Sequence, residues 1–124
     1  MAKNSLTSNI LMIRPSNFGY NPETAVTNSF QNKPKNDQEI KGIQEKVSAE
    51  FNQMVALLHQ NEIDVMVFDD RPEALTPDAI FPNNWFSTHS NTIITYPMLT
   101  LNRRRERRSD IIESLRKLYG YPTH

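Results

Sequence analysis

The chain has 124 residues, with 14 Lys and Arg, 14 Asp and Glu, and no cysteine. This length suits one domain, and the lack of cysteine excludes a disulfide framework, a thiolate metal site and a cysteine nucleophile from this chain. No apolar run approaches the ~18 residues of a membrane span, and the first residues lack the apolar core of a signal peptide. We therefore expect no membrane partner and a cytoplasmic location.

The zero net charge hides an asymmetry along the chain. Residues 1–100 carry 7 basic and 11 acidic side chains, whereas residues 101–124 carry 7 and 3, with five arginines at 103–108. This run could bind nucleic-acid phosphate, bind a substrate carboxylate, or form a solvated helix face paired with Glu106, Asp110 and Glu113. Because the rest of the chain is net acidic and no stacking platform accompanies the run, we expect no nucleic-acid partner.

The first predicted element is a short buried strand at residues 9–14, which ends at Pro15. Residues 15–36 follow, rich in Asn, Pro, Ser and Thr and without a sustained period. Loops of this length are usually functional lids or linkers, and the aromatic side chains Phe18 and Phe30 argue against a plain linker. The segment is interpreted either as a binding loop or as an ordinary surface loop held by its aromatics.

The clearest helix signal covers residues 37–60. Asn36 is a suitable N-cap with Glu39 three positions later, and Asn61 is a plausible stop. Apolar side chains recur at steps of three and four, which predicts one core-facing stripe made of Ile40, Ile43, Val47, Phe51, Met54 and Leu58.

The second half of the chain alternates short apolar runs with turns. The predicted elements are a strand at 63–68, extended segments at 79–81 and 85–88, a strand at 92–96 that completes a hairpin, and a helix ending at Gly120. This order indicates an α/β protein in one domain, residues 1–124, with helices packed on short mixed sheets. The sequence stops where such a protein would begin another strand, so we expect an N-terminal portion of a longer protein.

The first candidate site lies at residues 76–85. Asp78, Asn83 and Asn84 stand between large apolar side chains, so we expect them to be partly buried and hydrogen-bonded. Together they offer acceptors to a planar group with several donors, such as a guanidinium or a ureido group. The alternative is a Pro-Asn-Asn turn that satisfies its own amides. His89 has no neighbour in a metal-ligand spacing and is interpreted as a hairpin residue, so no metal site is predicted.

Two strings carry a resemblance to a known superfamily. They are Pro-Asp-Ala-Ile-Phe-Pro-Asn-Asn-Trp at residues 77–85 and Asn-Arg-Arg-Arg-Glu-Arg at residues 102–107. The chain resembles the amidinotransferase-type guanidino-modifying enzymes of the pentein superfamily, and is most similar to their bacterial citrulline-utilisation hydrolases. The resemblance implies an α/β propeller, of which this chain would form about two of five ββαβ-type blades. It also implies hydrolysis of carbon–nitrogen bonds of linear amidines or ureido compounds through a cysteine covalent intermediate, without a cofactor.

The same resemblance implies roles for individual residues. Asp78 matches the carboxylate that binds the nitrogens of the substrate head group. Asn83 and Asn84 fall where the dimethylarginine enzymes carry Glu and Asp, and neutral amides favour a neutral ureido group over a cation. Arg103 matches an arginine near the amino-acid end of the substrate, where it would clamp a carboxylate.

Residues 15–31, including Phe18 and Asn28, occupy the place of the superfamily's lid and are expected to line the substrate site.

The catalytic parts of the superfamily are expected outside this chain. No cysteine is present, and neither His89 nor His124 matches the catalytic histidine. The chain alone is therefore expected to be inactive, and the alternative is a non-catalytic interaction module or pseudoenzyme subunit completed by a partner chain. Open blade faces and unpaired strand edges predict self-association or a completing chain.

Overall fold

The computed structural model describes residues 7–16, 18, 33 and 35–120. Most of the predicted lid, including Asn28, lies outside the described residues. The described chain contains four strands and three helices. They are β1 (Asn9–Arg14), α1 (Asp37–Gln60), β2 (Asp64–Asp69), β3 (Phe86–His89), β4 (Thr92–Thr95), α2 (Leu101–Arg104) and α3 (Ser109–Tyr119).

The first sheet is a parallel pair formed by β1 and β2. Asn9 lies opposite Asp64 and Arg14 lies opposite Asp69, so the two strands match over their full length. Parallel strands need a long crossover, and α1 lies within the connection between them. Arg14 Nη1 closes the end of the pair with a 2.6 Å ion pair to Asp69 Oδ1. The mixed α/β class predicted from the sequence is confirmed.

The second sheet is the predicted hairpin of β3 and β4. Phe86 lies opposite Thr95 and His89 lies opposite Thr92 in an antiparallel register. The extended segment predicted at residues 79–81 is wrong, because these residues form turns in which Phe81 N–H donates to the carbonyl of Asp78. Pro82 then opens a single 3₁₀ turn, so the run between the turns is too short to form a strand.

Helix α1 begins where the sequence predicts, since Asn36 Oδ1 accepts a 2.8 Å hydrogen bond from the Glu39 N–H. Its apolar stripe is less buried than predicted. Phe51 is buried, but the predicted core position of Met54 is wrong, because Met54 is 53% exposed and Ile40 is 49% exposed. The pattern identifies the apolar face of a helix, and the two-stranded sheet beside α1 is too narrow to cover that face.

The core joins the two sheets to α3. Trp85 and Phe86 pack with ring centroids 4.5 Å apart, and α3 buries two side chains against them. The buried cluster consists of Ile13, Ala79, Trp85, Phe86, Met98, Ile111 and Leu115. Helix α3 ends at Gly120 in the left-handed conformation, with φ of 68°, as predicted for its C-terminal cap. Among the described helices, none has the length and apolar character that crossing a membrane requires.

Candidate functional site

The Arg103 guanidinium is the centre of a polar cluster beside the core. Its Nε donates to Glu106 Oε2 at 2.9 Å and its Nη2 donates to Glu106 Oε1 at 3.0 Å. The same Nη2 also donates to Asn84 Oδ1 at 2.9 Å. Only 17% of the Arg103 side chain is exposed, so the charge is held in place by partners of this chain.

Asp78 lies near the same guanidinium. Its Oδ2 lies 3.8 Å from Arg103 Nε, which is a charge contact and too long for a hydrogen bond. The turns on either side of Asp78 fix its position, because Ala79 N–H donates to the carbonyl of Thr76 and Phe81 N–H donates to that of Asp78. The structure therefore brings Asp78, Asn84 and Arg103 together from separate parts of the sequence.

Asp70 supports the segment that leads to Asp78. This carboxylate is 6% exposed, and its Oδ1 accepts from the Thr76 hydroxyl at 2.7 Å and from the Arg71 N–H at 2.8 Å. Its Oδ2 is buried without a hydrogen-bond partner among the described residues. The bond to Thr76 closes the loop between β2 and the turn that carries Asp78.

Glu106 is the part of the cluster that the sequence interpretation did not place in the site. Its side chain is 1% exposed, and burial raises its pKa, an effect that the hydrogen bond from Arg103 opposes. The charges of Asp78 and Asp70 also raise the pKa of Glu106. The sequence offered a signal in the three-residue spacing from Arg103 to Glu106, but that spacing also fits an exposed ion pair.

The two adjacent amides predicted to act together diverge. Asn84 contacts Arg103, whereas Asn83 lines a separate cavity of about 350 Å³ bounded by β1, β3 and α3. Successive residues of a 3₁₀ turn project about 120° apart, so both amides cannot face one ligand atom. Asn83 is therefore placed apart from the Arg103 cluster.

The other arginines of the 103–108 run tie this segment to earlier parts of the chain. Arg104 Nε donates to the Met98 carbonyl at 3.0 Å, Arg105 Nη1 donates to that of Ala74 at 3.4 Å, and Arg108 Nη1 donates to that of Asp69 at 2.7 Å.

Arg108 also forms a 2.7 Å ion pair with Asp110. That hydrogen-bonded contact lowers the pKa of the Asp110 carboxyl. Two of the acids proposed as partners in the solvated-face alternative, Glu106 and Asp110, are thus paired with arginines of the run.

Two further residues considered in the sequence make their hydrogen bonds elsewhere in the described chain. The Phe18 N–H donates to Gln44 Oε1 of α1 at 2.9 Å. His89 stands at the exposed end of the hairpin, with Nε2 3.0 Å from the Ser87 hydroxyl. Across the described residues, no group of three or more His, Cys, Asp or Glu side chains is arranged to hold a metal ion.

The fold and this cluster define a mixed α/β protein in which an acid, an amide and an arginine meet beside an apolar core. A family model described as N,N dimethylarginine dimethylhydrolase, eukaryotic, matches residues 14–123. The chain belongs to this family, and hence to the pentein superfamily whose members the sequence resembles. The family is one of hydrolases that act on guanidino-type substrates. None of the curated proteins and none of the solved structures matches the chain.

Proposed function

We propose that this chain supplies one wall of the substrate site of a carbon–nitrogen hydrolase acting on arginine-type or citrulline-type compounds. The observation that carries the proposal is the meeting of Asp78, Asn84 and Arg103, whose guanidinium lies 2.9 Å from Asn84 and 3.8 Å from Asp78. Family membership supports a guanidino-type substrate. In this proposal Asp78 faces the nitrogens of the head group and Arg103 faces the carboxylate of the amino-acid end.

The nucleophile has to come from outside this sequence, because the chain contains no cysteine. A cysteine thiolate would attack the central carbon of the head group and expel one amine with a proton. Water would then release the product from sulfur and restore the thiol. In this proposal the 124 residues contribute about two of five propeller blades, and further chain or a partner supplies the cysteine and the histidine.

The charge of the cluster favours a cationic head group. Asp78 and Glu106 are balanced by one guanidinium, and the charge of Asp70 also acts on Glu106. The replacement of family carboxylates by Asn83 and Asn84 favours a ureido group and supports the citrulline-utilisation branch. Asn84 is bonded to Arg103 and Asn83 faces another cavity, so the carboxylates determine which head group the site prefers. We therefore expect arginine to bind more tightly than citrulline.

The same proposal includes no nucleic-acid partner, and it includes either self-association or a second chain that completes the fold. Arg103, Arg104, Arg105 and Arg108 each donate at least one hydrogen bond within the chain, which leaves fewer of their N–H groups for phosphate and supports a proposal without a nucleic-acid partner. The exposed apolar side chains of α1 support self-association or a completing chain.

The test is a set of NMR titrations of the 124-residue chain with four ligands at millimolar concentration. L-arginine, N,N-dimethylarginine and L-citrulline carry the carboxylate, and agmatine is arginine without it. We expect shifts at Asn84 and the Arg103 guanidinium for the first three ligands, strongest for the two guanidino compounds, and at least fivefold weaker binding of agmatine.

Two variants complete the experiment. Arg103→Lys should weaken the binding of arginine and leave that of agmatine unchanged, whereas Arg116→Lys, a matched change at a residue of α3 that pairs with Glu113, should change neither. Equal binding of arginine and agmatine, or no shift at Asn84 for any ligand, would overturn the proposal. Release of amine from any of these compounds by the chain alone would contradict the cysteine mechanism.

A further inference from the structure

Both carboxylate oxygens of Glu106 accept hydrogen bonds from the guanidinium of Arg103. Its two oxygens accept from Arg103 Nε at 2.9 Å and from Arg103 Nη2 at 3.0 Å, and 1% of its side chain is exposed. A buried carboxylate loses its hydration, so a paired geometry of this kind has to be maintained by good hydrogen bonds.

This contact occupies one of the two edges of Arg103 that could bind a ligand carboxylate. A free arginine offers two parallel N–H groups to a carboxylate, commonly from one edge of the guanidinium. Here the Nε–Nη2 edge is taken by Glu106, and Nη2 also donates to Asn84. Among the hydrogen bonds between described residues, none starts at Arg103 Nη1.

We propose that Glu106 is a positioning residue that locks Arg103 so that Nη1 is the nitrogen offered to a ligand oxygen. The identity of the ligand as an amino-acid carboxylate rests on the proposed function. The locked arginine would bind one carboxylate oxygen through a single nitrogen, and its direction would be set before the ligand arrives. Glu106 itself would not touch the ligand.

A second arginine–carboxylate contact in the same chain provides an internal comparison. Arg108 donates from Nε and Nη2 to the two oxygens of Asp110, at 3.1 Å and 2.7 Å. The geometry is also two-pronged, but the Asp110 side chain is 59% exposed whereas that of Glu106 is 1% exposed. The two arginines are similarly buried, so the contacts differ in the burial of the carboxylate, and this difference is what would lock Arg103.

The two carboxylates also have different surroundings, so the two arginine–carboxylate contacts should break at different pH values. The charged groups that act on Glu106 are Arg103, Asp78 and Asp70, and burial is the main reason that its pKa is raised. The pKa of Asp110 is lowered by its contact with Arg108. As the pH falls, Glu106 should therefore gain its proton first and release Arg103 while Arg108 is still held.

The experiment follows the arginine Nε–H signals by NMR from pH 7 to pH 4 in the wild-type chain, without ligand. Exchange of an arginine Nε–H is catalysed by hydroxide and slows as the pH falls, so the quantity compared is the protection of each Nε–H relative to an unstructured arginine at the same pH. We expect this protection at Arg103 to fall about tenfold or more on acidification, at a higher pH than the change at Arg108. Carbon signals of the Glu106 and Asp110 carboxyl groups give the two midpoints directly. A titration midpoint of Glu106 at or below that of Asp110 would overturn the proposal. So would protection of the Arg103 Nε–H that stays constant while Glu106 takes up its proton.

Two variants at pH 7 test the same lock. Glu106→Gln should speed exchange at Arg103 about tenfold, and the matched change Asp110→Asn should leave Arg103 unchanged. If Glu106→Gln does not fold, the wild-type titration above decides the question. Unchanged Arg103 exchange in folded Glu106→Gln would reject the role of Glu106.

A ligand measurement distinguishes positioning from general support of the fold. Glu106→Gln should weaken arginine binding several-fold and leave agmatine binding as it is, since agmatine has no carboxylate for Nη1. Equal weakening of both ligands would reject positioning in favour of structural support. If wild-type Arg103 is locked as described but arginine does not bind at all, the proposed function fails while the lock stands.

Discussion

Asp70 shows how one buried carboxylate can organise a loop at the level of single residues. Its Oδ1 accepts from the Thr76 hydroxyl and the Arg71 N–H, and these bonds hold the segment that leads to Asp78. Thr76 is 1% exposed, so water cannot replace its hydroxyl. Loss of this donor would leave a buried charge with one hydrogen bond fewer.

We therefore expect Thr76→Val to lower the free energy of unfolding by about 2 kcal/mol, because a hydrogen bond to a charged group is lost. Asp70→Asn should cost less than about 1 kcal/mol, since an amide oxygen can keep both bonds and no buried charge remains. Chemical denaturation of the two variants gives both values. A larger cost for Asp70→Asn than for Thr76→Val would contradict this account.

The residues of the site could be predicted only in part from the sequence. The chemistry of Asp78, Asn84 and Arg103 and the resemblance predict these three residues, and the fold brings them together. Asn83 has the same chemistry but points elsewhere, because direction within a tight turn is set by backbone geometry. The sequence does not identify Glu106 as a site residue, because neighbouring residues do not reveal which of several acids will be buried.

At the scale of the element, one of the two described glycines can be replaced by a residue with a Cβ and the other cannot be replaced without strain. Gly42 lies inside α1, and a Cβ added there would meet no atom within 4 Å. Gly120 caps α3 with φ of 68°, a conformation that side chains with a Cβ rarely adopt. The same substitution should therefore have opposite signs at the two positions.

Gly42→Ala should raise the free energy of unfolding by about 0.5–1 kcal/mol, because alanine restricts the unfolded chain and favours the helix. Gly120→Ala should lower it by about 1–2 kcal/mol, because the left-handed conformation becomes strained. Thermal denaturation of the two single variants measures both changes. If both substitutions changed the free energy of unfolding in the same direction, the left-handed φ at position 120 would not be what makes glycine necessary there.

Elements with strong local signals were the ones that the sequence predicted well. The cap of α1 at Asn36, the hairpin turn at residues 90–91 and the glycine cap of α3 all depend on neighbouring residues. The segment at 79–81 was missed because two prolines impose turns on a run that is apolar enough for a strand. The exposure of Met54 was missed because helical periodicity does not reveal what covers the helix.

At the scale of the whole molecule, α1 presents an apolar surface that nothing in the described chain covers. Ile40, Met54 and Leu57 are 49%, 53% and 58% exposed. Exposed apolar side chains clustered on one helix promote association, so we expect the chain to self-associate as its concentration rises. A second copy is the simplest partner that the purified protein can offer.

Met54→Glu combined with Leu57→Lys should reduce this association and change the free energy of unfolding by less than about 0.5 kcal/mol, because both side chains are exposed. Gln53→Glu combined with Gln60→Lys places the same charges elsewhere on α1 and should leave association unchanged. Light scattering over a concentration series tests both pairs. A wild-type chain that stays monodisperse and monomeric at high concentration would refute the expectation.

The arginine run has a practical consequence for proteolysis. Trypsin cuts after arginine, but it must draw the side chain into its own specificity pocket. Arg104, Arg105 and Arg108 are tethered to the carbonyls of Met98, Ala74 and Asp69. Arg107 is exposed, and no side-chain hydrogen bond joins it to the described residues. Brief digestion should therefore nick this segment first after Arg107, and mass spectrometry of the earliest fragments would show the cut.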